Sequence, residues 1–186
     1  MALTATLHRF DLEVANVDRG IETALTLPAA RHPSETMARL WLRVLALGWQ
    51  HADGIGFGPG LCEPDAPDVL AAAPGGGLSV LVRVGSPDPA RVERDVRANS
   101  GARVAVLFAS PRELEAFRAR AAADGLARAA AADLAAVEPA VLSALAAIDD
   151  RRIRVRLTFV SDHLYIDVGG RTLDGPLIRS TWTGEP

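Results

Sequence analysis

The chain has no lysine; all twenty of its basic residues are arginine. That excludes a Schiff-base lysine, a phosphate-loop lysine and a lysine acting as acid or base. Cysteine is nearly as scarce. Cys62 stands alone, so no internal disulfide can form, and zinc fingers built on several thiolates are excluded. One tyrosine and five phenylalanines are too few for an extensive base-stacking platform. No apolar run approaches the ~18 residues of a membrane span. Residues 1–6 lack the basic-then-apolar order of a secretory signal. Together these absences predict a protein of the reduced cytoplasm with no membrane association.

Other signals are missing too. His8, His32, His51 and His163 show no metal-ligand spacing. Gly56-Phe57-Gly58-Pro59-Gly60 resembles a nucleotide-binding fingerprint only superficially, since it does not open a helix directly after a strand. No Gly-x-Ser-x-Gly elbow occurs. What is present is an ordinary globular composition: 186 residues, 49% apolar and 23% charged, enough for a single domain over 1–186. The net charge of −3 disfavours a broad nucleic-acid-binding face but permits a local one.

Hydrophobic periodicity supplies the elements. Residues 3–14 and 21–27 alternate apolar with polar around a turn at Asn16–Gly20, which predicts an opening antiparallel hairpin. Pro33-Ser34 starts a helix to about Ala52, with Ser34 as N-cap and Glu35 in the first turn. Residues 53–77 read as a long loop, a length that is often functional. Strand 78–84, helix 88–98, strand 103–108 and a helix from Ser110-Pro111 to about Ala123 follow. Residues 133–147 read as one more helix, with Pro139 a start or kink. A final hairpin over 151–160 and 163–168 carries Arg152, Arg154 and Arg156 in alternation with Ile153, Val155 and Leu157. The tail after Trp182 is expected to fray. The order predicts a mixed α/β (α+β) domain: a three-layer core with a mixed central sheet, flanking helices and β-hairpins at both ends.

Four groups of residues could carry chemistry. Glu35, Arg39 and Arg43 are spaced four apart, either as a solvated stripe or as a charged face turned toward the next strand. Glu63, Asp65 and Asp68 lie within six residues and could hold a metal, though Asp and Pro are also ordinary turn residues. On strand 78–84, Ser79, Leu81 and Arg83 share one face, and Val80, Val82 and Val84 the other. Arg83 is a charge inside an apolar run, so it needs a partner, a ligand or a route to water. The last group is Asp88, Arg91, Glu93, Arg94, Asp95 and Arg97 on the following helix.

Read together, these positions resemble the YaeQ family of bacterial proteins. The similarity runs through Met1-Ala2-Leu3-x-Ala5-Thr6, Ala30-Arg31-His32-Pro33-Ser34-Glu35-Thr36, Arg39-x-x-x-Arg43-x-Leu45-Ala46, Gly60-Leu61-Cys62, Asp65-Ala66-Pro67 and Gly85-x-Pro87-Asp88 with Arg91. The block at 30–36 is the most specific. The family is similar to the PD-(D/E)xK nucleases, so the resemblance implies a restriction-endonuclease-like core. In that fold acids on a loop and a strand hold Mg²⁺, a lysine supports the attacking water, and a helix glutamate often assists. Glu35 matches the helix acid and Asp65 the first loop acid, whose neighbouring acid is here Ala66. Arg83 stands where the strand carboxylate is expected. An acidic position earlier on the strand in some members is Ser79, and the helix lysine falls at Arg94.

The resemblance therefore implies the scaffold but not the metal chemistry. A guanidinium ~4 Å from a divalent ion, at an effective dielectric of ~20, is repelled by about 8 kcal/mol. The leading expectation is a YaeQ-like domain without nuclease activity and without Mg²⁺ or another cofactor. Arg83 is expected to pair with Asp65 or Glu35. The pocket of Glu35, Arg39, Asp65, Ser79, Arg83, Asp88 and Arg94 would take an anionic ligand, with Arg83 and Arg94 holding a phosphate or carboxylate. Two alternatives stand beside it. One is a metal-dependent nuclease using Glu35, Asp65 and Asp68 or Asp88. The other is an interaction protein, linked by the resemblance to transcription, with a protein partner or a dimer formed through a sheet edge.

Overall fold

The computed structural model describes residues 5–63 and 65–180. Strands β1 (Thr6–Asn16) and β2 (Ile21–Arg31) form the opening hairpin in unbroken antiparallel register. Helix α1 (Met37–Trp49) follows, then β3 (Gly56–Phe57), β4 (Val69–Ala72) and β5 (Leu78–Val84). Next come α2 (Pro89–Ala98), β6 (Arg103–Phe108), α3 (Pro111–Ala123), the short α4 (Ala127–Ala130), β7 (Asp133–Val137) and α5 (Pro139–Ala146). Strands β8 (Arg152–Val160), β9 (His163–Val168) and β10 (Arg171–Ser180) finish the described chain. All ten strands join one mixed sheet in the order β2-β1-β8-β9-β10-β7-β6-β5-β4-β3. The mixed α+β class with helices on the sheet is as expected.

Two apolar clusters lie on opposite faces of the β5–β6–β7 region. Val80, Val82 and Val84 face the larger one with α1; Leu81, Val104 and Val106 face the smaller one with α2 and α3. This is the three-layer half. Helix α1 is buried on almost every side, from Leu40 to Leu47, because sheet and α5 surround it. Gly48 lets it approach β8: a Cβ there would come within 2.7 Å of the Leu157 side chain. At its end Arg19 donates to the Trp49 and His51 carbonyls, and Arg103 to that of Gln50, meeting acceptors that a helix C-terminus leaves open.

Strand β2 is a long sheet edge, and its Pro28 protects it. The Arg9 N–H donates toward β8, to the Arg151 carbonyl, so the alternate residues of β1 bond to β2. Arg9 lies opposite Pro28, where no ladder bond with β1 is needed. The missing N–H therefore falls on the open side, where it weakens pairing with another strand.

Five expectations change. The helix begins at Met37, capped by Thr36 Oγ1, which accepts from the Arg39 N–H at 3.2 Å. Ser34 is instead engaged with His32 Nδ1 at 2.6 Å, and Glu35 precedes the helix. The helix ends at Trp49 rather than near Ala52, where Arg19 and Arg103 meet its last carbonyls. Residues 133–137 are a strand, not helix. Pairing on both sides, with β6 and β10, overrides the helical preference of its alanines, and Pro139 starts α5. The loop 53–77 contains β3 and β4, and residues 171–180 form an unanticipated strand. That last strand crosses between halves of the sheet: Arg171–Pro176 pair with β9 and Leu177–Ser180 with β7. Residues 1–4 and the tail after Trp182 lie outside the described residues.

Candidate functional site

A cleft of about 690 Å³ opens at the carboxyl ends of the parallel strands β5 and β6, where open α/β sheets commonly bind ligands. Its walls come from the start of α1, the segment before β4, the β5–α2 turn and the start of α3. Arg39, Asp68, Arg83, Asp88, Arg91 and Arg94 line it.

Arg83 occupies the last turn of the pleat in β5 and is 6% exposed. Its fork closes on Asp95 of α2, with Nε to Oδ2 at 2.5 Å and Nη2 to Oδ1 at 3.1 Å. The remaining donors reach the backbone carbonyls of Ala66 and Asp65, at 3.2 and 3.0 Å. The expected pairing with Glu35 or the Asp65 carboxylate is thus replaced by Asp95. The reason is strand geometry. The face that carries Arg83 looks toward α2, whereas Glu35 belongs to the α1 side. The Asp65 carboxylate is 90% exposed and pairs with Arg91.

On the other side Asp68 lines the cleft, and Glu35 lies buried behind it, outside the lining. Arg39 bridges them, with Nη1 3.0 Å from Glu35 and Nη2 2.6 Å from Asp68. Arg43, 1% exposed, donates to both Glu35 oxygens at 3.3 Å, to the carbonyls of Ala30 and Gly58, and stacks over Phe57 at 5.1 Å. Glu35, Arg39 and Arg43 thus form a largely buried charge network against Ala30, Phe57, Gly58 and Asp68, neither a solvated stripe nor a helix face turned to strand 78–84. The second Asp68 oxygen accepts from the Val84 N–H at 2.9 Å, tying the loop to the end of β5. Gly58 serves this packing: a Cβ there would stand 1.9 Å from the Pro67 carbonyl oxygen.

The other candidates divide. Asp88 caps α2 by accepting from Ala90 N–H and lies 3.4 Å from Arg120 at the rim. Arg94 is exposed in the cleft and makes no ion pair among the described residues. Ser79 is at the far end of β5, about 13 Å along the strand from Arg83. Its hydroxyl donates to the Ala71 and Ala72 carbonyls, at an irregularity in β4. Asp95 is one of the charged residues grouped on the helix after β5, and no spacing signal singled it out as the partner of Arg83. Glu93 of that helix is also buried and accepts from the Ala129 N–H at 2.8 Å.

The carboxylates do not fit a divalent ion. Glu35 and both oxygens of Asp68 are committed to donors, and the third expected position is a cation. Among the described residues no group of three or more His, Cys, Asp or Glu side chains is arranged to hold a metal.

The fold and cleft define a mixed α+β domain whose charged cleft sits at the ends of parallel strands. A family model described as YaeQ protein matches residues 1–175, and the chain belongs to the YaeQ family. Crystal structures of YaeQ proteins from Xanthomonas axonopodis pv. citri and Pseudomonas syringae superpose with TM-scores of 0.83 and 0.81, each at 25% identity. The first covers 95% of this chain and 98% of its own, the second 97% of each. The uncharacterized protein YaeQ of Escherichia coli (strain K12) is 35% identical over 94 residues, and that of Salmonella typhi 36% over 96. Each alignment covers 50% of this chain, and the chain spans about half the length of these curated relatives, 52%. No helix among the described residues is long and apolar enough to cross a membrane.

Proposed function

We propose that the chain is an anion-binding module on a nuclease-like PD-(D/E)xK scaffold, without nuclease activity and without a bound divalent metal. Arg83 carries the reading. At the position where the resemblance expects a metal-holding carboxylate, its guanidinium is locked onto Asp95. A metal entering the cleft would have to strip Glu35 and Asp68 from Arg39 and Arg43 and would face that fixed positive charge. With no lysine in the sequence, no relocated lysine can take the role of the missing one.

What the cleft offers instead is cationic hydrogen bonding. Arg94 lines it with no ion pair among the described residues, near the more committed Arg83 and Arg91. An arginine fork suits a phosphate or carboxylate oxygen pair. The start of α2 adds little, since Asp88 already caps it and Pro89 has no N–H to offer.

Isothermal titration with adenosine 5′-monophosphate tests the reading. Binding is expected in the wild type and a roughly tenfold loss in Arg94→Ala, the scale of one charged hydrogen bond. In parallel, single- and double-stranded DNA should survive incubation with Mn²⁺. Mn²⁺-dependent cleavage that Asp68→Ala abolishes would replace this reading with the rearranged nuclease built on Glu35, Asp65 and Asp68.

A further inference from the structure

The arginine alternation on β8 plays no part in the cleft. Arg152, Arg154 and Arg156 project from the outer face of the sheet at intervals of about 6.7 Å. Arg9 of β1 stands opposite Arg152. They border an open trough of about 930 Å³ that crosses β1, β2 and β8 to the β9–β10 turn. Five arginines line it (Arg9, Arg152, Arg154, Arg156 and Arg171) against three acids, Asp11, Glu13 and Asp167. The trough lining is locally positive in a chain of net charge −3, while Glu22 and Asp174, the latter paired with His163, stand on the same outer face just beyond it.

We propose that this face binds the phosphodiester backbone of a single-stranded nucleic acid. Internal pairing consumes only part of its charge. Arg152 holds Asp11 at 3.0 Å and Arg156 holds Glu13 at 2.5 Å. Thr26 and Thr172 donate to Asp11 and Asp167, which keeps those acids engaged. Arg9 is 3.7 Å from the shared Asp11, and Arg154 and Arg171 make no ion pair among the described residues. Arg9, Arg154 and Arg171 are thus the groups with charge to give to phosphates.

Shape and chemistry favour nucleic acid over an acidic peptide. From β1 to β10 the trough spans three strand spacings, about 14 Å, wider than an extended peptide needs. On the same outer face, opposite Thr158, Tyr165 is 43% exposed and stacks beside His163 at 4.7 Å. Its ring can take one base. A single ring suits backbone-led binding with little sequence preference, in keeping with the scarcity of aromatics. The face shares no lining residue with the anion cleft, so either site can fail without the other.

Fluorescence anisotropy with a labelled 15-residue oligothymidylate tests the proposal. Binding at 50 mM NaCl is expected to weaken about 20-fold at 200 mM, as three released counterions on a single strand require. Arg154→Glu with Arg171→Glu should weaken it more than tenfold, and Tyr165→Ala by about fivefold. Arg94→Glu in the cleft should leave it unchanged. The proposal is overturned by no binding at 50 mM, by an unaffected charge-reversal variant, or by loss in Arg94→Glu. Binding of poly-glutamate in place of the oligonucleotide would equally overturn it, in favour of an acidic protein segment.

Discussion

Strands β5 and β8 both place an arginine among apolar residues, and they use it in opposite ways. Arg83 on β5 is buried, and all its directions end on fixed acceptors. Arg154 on β8 alternates with core residues, projects from the outer face and pairs with no acid among the described residues. The difference is what covers each face. Helix α2 lies over β5 and supplies Asp95, whereas among the described residues the outer face of β8 is left exposed at Arg152, Arg154 and Arg156. A guanidinium under a helix becomes part of the packing; the same group on an open sheet stays available to a partner.

The largest effect that bears on this contrast is on stability. Arg83→Leu should cost about 3 kcal/mol in urea unfolding, since it leaves the Asp95 carboxylate partly buried and unpaired. Adding Asp95→Leu should recover most of that loss, because the uncompensated charge goes too. An additive double variant would mean that packing, and not charge pairing, holds Arg83 in place.

A smaller effect belongs to the covered half. Burial pushes the His51 imidazole below its ordinary value of 6.5; Asp53 opposes the shift and Arg19 adds to it. The folded state therefore favours neutral His51, while the unfolded chain takes up a proton first as pH falls. The stability from His51 is present above pH 6.5 and is lost as pH drops from there through the lowered folded value. His51→Gln should flatten the decline of the urea midpoint between pH 7 and pH 5 relative to wild type. Parallel profiles would show that His51 is as open to solvent as the outer-face residues.

The smallest effect is expected on the open face. The Glu13 carboxylate beside Arg156 holds its guanidinium above the usual arginine range, yet the pair is fully in water. Arg156→Gln should leave the urea midpoint where it is. A clear loss there would erase the contrast between the two strands.

Much of the architecture was legible in local pattern. Alternation in 3–14 and 21–27 marks a half-buried hairpin, found as Thr6–Asn16 and Ile21–Arg31, and the β5 face division placed Val80, Val82 and Val84 apart from Leu81 and Arg83 as observed. Where local preference and packing conflict, pattern failed. Asp133–Val137 is alanine-rich yet lies between two strands, and β10 pairs with strands far apart in sequence. The cleft was half legible. Glu35, Arg39 and Arg43 form a buried charged network, but the acid for Arg83 comes from α2, and Ser79 lies at the other end of the strand.

The sequence by itself determined that lysine is absent and that an arginine, Arg83, interrupts the apolar run of strand 78–84, because both are matters of residue identity and spacing alone. Only the tertiary structure decided what Arg83 holds and which arginines remain open. Those answers depend on which helix covers which face, and long-range packing sets that where residue spacing does not.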